Sequence, residues 1–419
     1  MKVPLAGLVP RGLGDVYKRQ IYRHMSDNSV SIKVINSISE LNREEWDRCA
    51  TSSSTDSFVE IDDPFTSYDF LNALEKSKSV GKNTGWLPYH LAAISENKLV
   101  GAVPLYLKSN SQGEYIFDHN WAHAFERAGG RYYPKLQISI PFTPVTGRRL
   151  LVSENAPSHT NSLLLKSAIE LCKQNKLSSL HATFCSKQEF ELGQQLGMLG
   201  RVSQQFHWLN DGYSNFDDFL SALSSRKRKN INKERAKAND FGGQIEILTG
   251  TEIKKDHWNC FWEFYQDTGN KKWGTPYLTR QFFDQIHETM RSKILLILAK
   301  KDGKYIAGAL NFIGSDTLFG RYWGCIEDYP FLHFEICYYR AIEFAIANGL
   351  NKVEAGAQGE HKIARGYVPT ETFSLHWIGE ESFSKAVEEY LISEKGAVKQ
   401  DIKILSQFTP FKKGANKND

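Results

Sequence analysis

The segment Glu354–Lys362 gathers side chains that can take part in proton transfer and polar recognition. Carboxylates and imidazoles are common general bases, amide groups stabilise carbonyl oxygens, and cations hold phosphates or carboxylates. The candidates are the proton acceptors Glu354, Glu360 and His361, the amide donor Gln358, and the cations Lys362 and Arg365. The alternative is a polar loop whose charges pair with one another and cap neighbouring elements.

A second group of candidate substrate-binding residues lies on two neighbouring predicted elements. Gly320–Cys325 is predicted to be a strand, with glycines at places where a backbone or a ligand can approach closely. Arg321 inside this aromatic strand needs a partner if it is buried, and either a bound anion or an ion pair with Glu335 or Glu354 meets that need. His333 and Glu335 are predicted to open a helix, where an acid suits the helix dipole. The candidates of this group are Arg321, Tyr322, Trp323, His333 and Glu335.

The segment Arg226–Lys237 holds seven basic residues and one acid in twelve positions. On a helix this composition gives a wide positive face that can meet the phosphates of tRNA or of an anionic lipid head group. The alternative is a solvated charged helix. The candidate anion-binding or nucleic-acid-binding residues are Arg226, Lys227, Arg228, Lys229, Lys233 and Arg235.

An internal repeat organises the elements that must position these residues. Leu91–Leu105 and Leu296–Phe312 each predict a β-hairpin, with Gly101 and Gly308 at corresponding places. In both copies a predicted helix precedes the hairpin, at 64–74 and 276–286, and a helix end followed by a strand comes after it, at 168–184 and 341–355. The repeated order predicts an α/β (α+β layered) fold of two tandem units, each a mixed sheet flanked by helices.

The expected boundaries are a first domain at 30–195 with an insert at 109–155, a second domain at 200–395, and a frayed tail at 400–419. Residues 1–24 are expected to be a non-native leader, because 8–12 resembles a thrombin cleavage site and 14–20 resembles translated adapter text. Tyr133 and Lys135 in the insert are further candidate substrate-binding residues, expected to reach an inter-domain cleft. Rigid loop packing around the prolines is the alternative.

Composition limits the class of protein. The chain has 419 residues, of which 41% are hydrophobic, so real cores can form, and its formal net charge of +4 selects no partner. Six scattered cysteines without a CxxC pair predict reduced thiols of a cytoplasmic protein and no metal site. No run approaches the roughly 18 apolar residues that a membrane-spanning helix needs.

Several motifs together resemble the bacterial FemAB-like family (peptidoglycan biosynthesis/recognition proteins) of the GNAT acyltransferase superfamily. The resemblance covers residues 25 to 399. The motifs that carry it are Trp86–His90, Gly113–Asp118, Tyr132–Lys135, Pro141–Pro144, Gln205–Trp208, Ser225–Lys229, Gly320–Cys325, His333–Glu335 and Glu354–Lys362.

The resemblance implies a double GNAT fold and transfer of an aminoacyl or acyl group to an amine acceptor, such as a cell-wall precursor. Gln358 and Glu360 are then expected to act directly, while His361, Lys362 and Arg365 position substrate and Arg321 tunes the local field. The pyrophosphate loop of acetyl-CoA-dependent relatives has no clean copy in 358–366, so aminoacyl-tRNA is favoured over acyl-CoA as co-substrate, and no tightly bound cofactor is expected. The alternative is a non-catalytic module that binds a cell-wall or nucleotide-bearing ligand in an inter-domain cleft.

Overall fold

The computed structural model describes residues 30–54, 57–271, 276–356 and 359–412. The expected leader at 1–24 lies outside these ranges. The strands are β1 (Ser31–Ile35), β2 (Ser52–Ser54), β3 (Ser57–Ile61), β4 (Trp86–Pro88), β5 (His90–Ser95), β6 (Lys98–Val103), β7 (Leu105–Lys108), β8 (Lys135–Ile138), β9 (Leu151–Val152), β10 (Ser179–Cys185), β11 (Leu199–Leu209), β12 (Gln244–Thr249), β13 (Ile294–Lys301), β14 (Lys304–Ile313), β15 (Thr317–Cys325), β16 (Lys352–Glu354) and β17 (Val368–Ile378).

The α-helices are α1 (Arg43–Ala50), α2 (Tyr68–Lys76), α3 (His119–Arg127), α4 (Thr160–Gln174), α5 (Lys187–Gln195), α6 (Phe216–Ala222), α7 (Ser225–Asn239), α8 (Lys255–Lys271), α9 (Arg280–Thr289), α10 (Leu332–Phe334), α11 (Arg340–Ala347) and α12 (Glu381–Ser406). A π-helical segment, Glu335–Tyr339, joins α10 to α11, and a 3-10 helix, Glu360–Arg365, follows β16. Within the described ranges, none of the helices is both long and apolar enough to cross a membrane.

The chain divides into two compact units, and the division differs from the expected boundaries. Unit 1 comprises residues up to Ser203 together with Thr372–Val398, and unit 2 comprises Gln204–Glu371 with the residues from Lys399 onward. Residues 372–398 therefore belong to the first unit, because the end of β17 pairs antiparallel with β10 and because α12 packs Val387 into a cluster of unit 1. Within the expected tail, α12 continues to Ser406, so this part is helical and not frayed.

Unit 1 confirms the first predicted hairpin. Strands β5 and β6 pair antiparallel with Ala93 opposite Gly101. The turn places both Glu96 and Asn97 at positive φ, as a type I′ hairpin turn requires. The hairpin belongs to a four-stranded sheet of order β1-β5-β6-β9, whereas β10, β8, β7 and β4 follow one another, beside the end of β17, in a larger sheet. A Cβ at Gly101 would lie 3.1 Å from a methyl of Leu164, so glycine allows the close packing of α4.

Unit 2 confirms the second hairpin, because β13 and β14 pair antiparallel around Asp302 and Gly303, both at positive φ. Strands β12 to β15 follow one another in antiparallel order, and β16 then pairs parallel with β15 and antiparallel with β11. The predicted strand at 320–325 and the predicted helix at 226–237 are both present. The core of this unit packs Ile297 of the sheet against Ile231 of α7 and Ile336 of the π-helical segment.

The parallel strands β15 and β16 separate after a short pairing. Their paired residues run from Thr317 to Phe319 on β15 and from Lys352 to Glu354 on β16. Beyond that point β15 continues to Cys325, while β16 ends at Glu354 and leads into the segment predicted to carry chemistry. The sheet is therefore open at the carboxyl end of β16, which is where α/β folds commonly place ligands.

Candidate active site

A pocket of about 90 Å³ occupies the place where β15 and β16 separate. Four of the predicted substrate-binding residues line it, and Arg321 is the only formally charged side chain among the lining residues of the described ranges. The lining residues are Ala309, Leu310, Asn311, Gly320, Arg321, Tyr322, Trp323, His333, Cys337, Tyr338, Ala355 and Gly356. The structure thus brings Arg321, Tyr322, Trp323 and His333 together, and their role in substrate binding stays a prediction.

A hydrogen bond joins Tyr338, which lines the pocket, to His361, which is exposed and lies outside the pocket lining. The hydroxyl of the buried Tyr338 lies 2.9 Å from His361 Nε2, and Tyr338 itself lines the pocket. Burial lowers the pKa of the His361 imidazole, and the Arg365 and Lys362 cations lower it further. Burial also raises the pKa of the Tyr338 phenol well above its usual value. At neutral pH the pair therefore consists of a neutral imidazole and a protonated phenol.

Tyr338 is a residue that the sequence did not single out. Its neighbour His333 was noticed because an imidazole stands out in any segment, whereas Tyr338 follows two apolar residues in a helix and reads as a core aromatic. Its position five residues after His333 could have indicated that the two side chains share one face, but only if the helix was known to contain a π turn.

Lys362 and Arg365 are buried inside the 3-10 helix, which contradicts their prediction as phosphate-binding or carboxylate-binding side chains. Lys362 Nζ donates to the carbonyl of Gly356 at 2.9 Å, and Arg365 Nη2 donates to both carboxylate oxygens of Glu234 of α7, at 2.9 and 3.0 Å. Burial lowers the pKa of Lys362 to about 8. These cations hold the polypeptide around the pocket, because Lys362 Nζ and the Nη1 and Nη2 atoms of Arg365 donate to protein atoms.

Glu335 is also structural, and it is not the partner of Arg321. Its carboxylate is fully buried and contacts Arg235 of α7 at 2.9 Å and Arg340 of α11 at 2.9 Å. Arg235 was predicted to bind anions, yet it points inward to Glu335 and lies over the Phe216 ring at 4.4 Å. That prediction was wrong because helical spacing does not tell which cations of a basic helix face the core.

Glu354 lies beside the pocket without appearing among its lining residues. Its buried carboxylate is 2.8 Å from Lys352 Nζ and 3.9 Å from His207 Nε2, and His207 is its register partner on β11. This arrangement favours Glu354 as a charge partner within the sheet and does not place it next to a reacting group. Glu360 opens the 3-10 helix and is exposed, whereas Gln358 lies outside the described residues.

The basic helix α7 presents a row of exposed cations on its outer face. Arg226, Lys229, Lys233 and Lys237 are all exposed and follow one another at spacings of three and four residues, so they share one face of the helix. Lys227 and Arg228 are half-buried. The outer row therefore contains three of the predicted anion-binding residues and adds Lys237.

Lys135 lies inside unit 1, which contradicts its prediction as a substrate contact. Its ammonium group is fully buried, contacts Asp118, and donates to Glu114 at 2.8 Å and Ser111 at 2.9 Å. Although burial alone would lower it, the pKa of Lys135 is raised because the two carboxylates stabilise the charged form. Tyr133 contacts the same Ser111 hydroxyl at 2.7 Å. The loop-packing alternative is therefore correct for Lys135.

Comparison with known proteins settles the family. Residues 37–413 match the FemAB-like family, which is described by peptidoglycan biosynthesis/recognition. The chain belongs to the FemAB-like family. No curated protein sequence matches it significantly. This family membership confirms the resemblance inferred from the motifs.

The solved structure of FemX resembles this chain in fold. FemX is 13% identical, with 83% of this chain and 98% of FemX covered at a TM-score of 0.52. A tandem GNAT protein from the clavulanic acid biosynthesis pathway is 11% identical, with 84% and 98% covered at a TM-score of 0.43. The likeness to FemX supports the predicted fold of two tandem GNAT-like units.

Proposed function

We propose that the unit 2 pocket transfers an aminoacyl or acyl group to an amine acceptor. The observation that carries this proposal is the hydrogen bond from the pocket-lining Tyr338 to His361, beside the opening between β15 and β16. Membership of the FemAB-like family supports a transferase of this broad class. The donor, the acceptor and the roles of individual residues are parts of the proposal.

The reaction needs a path for protons. It joins the amine nitrogen to the acyl carbonyl carbon and breaks the bond from that carbon to the donor's oxygen or sulfur, so the amine loses a proton and the leaving group gains one. In the proposed step, Tyr338 accepts the amine proton while its own proton passes to His361 Nε2, and the imidazolium later returns a proton to the leaving group. The lowered pKa of His361 keeps the imidazole ready to accept.

The remaining predicted residues have secondary roles in this proposal. Gln358 donates its amide N–H to the oxygen that becomes negative as the amine attacks, and Glu360 provides a second proton acceptor. Arg321, as the charged group lining the pocket, holds an anionic part of a substrate. His333 and Trp323 pack with ring centroids 5.0 Å apart and form an aromatic wall for the substrate.

Aminoacyl-tRNA is the proposed donor. The exposed row Arg226, Lys229, Lys233 and Lys237 offers four cations to a phosphate backbone. The inner face of the same helix contacts the pocket-bordering elements through Arg235 and Glu234. The proposed acceptor is an amine-bearing cell-wall precursor, in keeping with the description of the family.

Single-turnover assays test the proposal. Purified protein is mixed with aminoacyl-tRNA or acyl-CoA and a panel of amine acceptors, and the wild type is compared with Gln358→Ala, Glu360→Gln, His361→Gln and Tyr338→Phe. His123→Gln is the matched control, because His123 is an exposed histidine of unit 1. Amide product that depends on Tyr338 and His361 supports the proposal, whereas wild-type turnover in all four variants would overturn these roles.

Ligand-induced stabilisation separates transfer from recognition. A ligand that binds only the folded state raises the melting temperature by mass action. Stabilisation by aminoacyl-tRNA or acyl-CoA is expected for the transferase. Stabilisation by muropeptides alone, with no product from any donor, would replace the proposal with a recognition module.

A further inference from the structure

The π-helical segment Glu335–Tyr339 interrupts the helix that borders the pocket. In an α-helix, residues five apart point about 140° away from each other, because each residue turns by about 100°. A π turn bonds residue i to residue i+5 and so brings such residues onto one side. His333 and Tyr338 are five apart, their ring centroids lie 5.4 Å from each other, and both line the pocket. The π turn is therefore what places Tyr338 in the pocket beside His333.

A cluster of buried charges surrounds the start of this segment. Glu335, its first residue, contacts Arg235 at 2.9 Å and Arg340 at 2.9 Å with its fully buried carboxylate. Both arginines also contact Glu343 of α11, at 2.7 and 3.1 Å, but Glu343 lies beyond the π turn and is partly exposed. The two acids thus share the same cations, while only Glu335 belongs to the π turn.

Both the buried ion pairs and the π turn are uncommon features. Taking Glu335 and most of the two arginines out of water carries a desolvation penalty that well-packed apolar residues would avoid. A π turn is rare, occurs mostly as a single turn inside an α-helix, and is frequent at functional sites. Their coincidence at one turn of the pocket wall, next to the Tyr338–His361 hydrogen bond, points to a shared role.

We infer that Glu335 is a positioning residue: by anchoring the π turn to Arg235 and Arg340, it holds the Tyr338 hydroxyl against His361 Nε2 and toward the pocket. This inference deepens the proposed transfer function and rests on it for its catalytic meaning. The Glu335–Arg235 ion pair also connects α7 to the pocket, because Arg235 belongs to the same helix as the exposed basic row. Loss of the Glu335 charge releases the turn, and Tyr338 then loses its register with His333 and His361.

The imidazole of His361 reports this geometry without any assay of activity. Protein labelled with 15N-histidine is titrated by NMR, and Tyr338→Phe identifies the His361 resonances by removing the hydroxyl from Nε2. Glu335→Gln, which keeps the shape and removes the charge, is expected to shift the same resonances in the same direction. Glu343→Gln, the matched control on the same arginines, is expected to leave them in place. Unmoved His361 resonances in a folded Glu335→Gln protein overturn the inference.

A second variant tests the inference even if Glu335→Gln does not fold. Glu335→Asp keeps the negative charge but draws it back from Arg235 and Arg340 by one methylene, so it loosens the anchor while the two arginines keep a buried counter-charge. Shifted His361 resonances support the inference, and unchanged ones overturn it. In the transfer assay Glu335→Gln is expected to lower kcat about tenfold or more with little change in KM, since displacing a reacting group acts on the chemical step. If the NMR shifts appear but wild-type protein forms no amide product, the proposed function fails while the positioning role stands.

Discussion

At the scale of single residues, the pocket depends on side chains whose protonation is set by burial. Tyr338 and His361 lie in contact, and the nearby cations Lys362 and Arg365 are held by protein atoms. Residue types alone predicted His361 and the cations as candidates, because such side chains stand out in a sequence. They did not predict that Arg365 faces Glu234, since these two residues are 131 positions apart. Pairings of this length depend on the tertiary fold.

Replacement of His361 gives the most direct kinetic prediction. His361→Gln is expected to lower kcat by about 10² to 10⁴-fold, which is the usual contribution of a positioned base. A base loses activity as the pH falls through its pKa, and the pKa of His361 is below its ordinary value of 6.5. The wild-type rate should therefore stay level down to pH 6.5 and decline only below it. A pH–rate profile checks this, and the decline should disappear in His361→Gln; an identical profile in the variant contradicts the role.

Lys362 allows a stability prediction at high pH. Burial lowers its folded pKa to about 8 from 10.5, so between these values the unfolded chain binds more protons than the folded one. Stability attributable to this group therefore rises as the pH increases from about 8 to 10.5. Chemical denaturation across this range should show that the free energy of unfolding of the wild type increases, with rising pH, relative to that of Lys362→Met. A constant difference between the two free energies would mean that Lys362 titrates normally.

At the scale of elements, the sequence predicted local structure well and side-chain orientation less well. Both hairpins are present because turn residues at Asn97 and Gly303 and alternating apolar residues act over short distances. The predicted helix at 226–237 is also present, but its cations divide between an outer row and the inward-facing Arg235. The π turn was not predicted, because a segment of five residues has no periodicity that distinguishes it from the α-helix around it.

The outer row of α7 yields a prediction on nucleic-acid affinity. Replacing Arg226, Lys229, Lys233 and Lys237 by glutamine removes up to four phosphate contacts, so the slope of log affinity against log salt should become shallower by up to about 3.6 for duplex-like RNA or 2.8 for single strands. Filter binding of tRNA at several salt concentrations measures this slope. Lys98→Gln and Lys304→Gln, which change exposed lysines elsewhere, serve as controls. An unchanged slope in the quadruple variant would exclude the row as the tRNA contact.

At the scale of the whole molecule, the two units carry their buried charges differently. In unit 2 the Arg235–Glu335 ion pair lies next to the pocket, whereas in unit 1 Lys135, Asp118 and Glu114 form ion pairs inside the core. The sequence predicted two tandem units from their repeated elements, but it assigned 372–395 to the second because chain order was the only guide. The register of β17 against β10, with His376 opposite His181, becomes visible only in the folded chain.

Lys135 is expected to contribute to folding and not to chemistry. Lys135→Met leaves the buried Asp118 without its lysine and Glu114 with only Lys108, 3.6 Å away, which should lower the free energy of unfolding by about 3–5 kcal/mol. Lys98→Met, at an exposed position, should change it by less than about 0.5 kcal/mol. Denaturant titration of both variants provides the measurement. Equal stability of Lys135→Met and wild type would show that the buried network is dispensable.

The imidazoles of unit 1 should make the protein sensitive to acid. His181 and His376 are fully buried with their Nδ1 atoms 2.6 Å apart, and burial lowers the pKa of His181 to about 3 and that of His376 well below its usual value. Both groups must be neutral in the folded chain but take up protons in the unfolded one, so stability is lost as the pH falls from 6.5 toward 3. Each imidazole should contribute a slope of about 1.4 kcal/mol per pH unit in this window. His181→Gln should reduce this slope by that amount relative to wild type and to the exposed control His123→Gln. Urea unfolding at intervals between pH 4 and 6.5 measures the slope for each protein. An unaltered slope in His181→Gln would mean that His181 is already protonated in the native state.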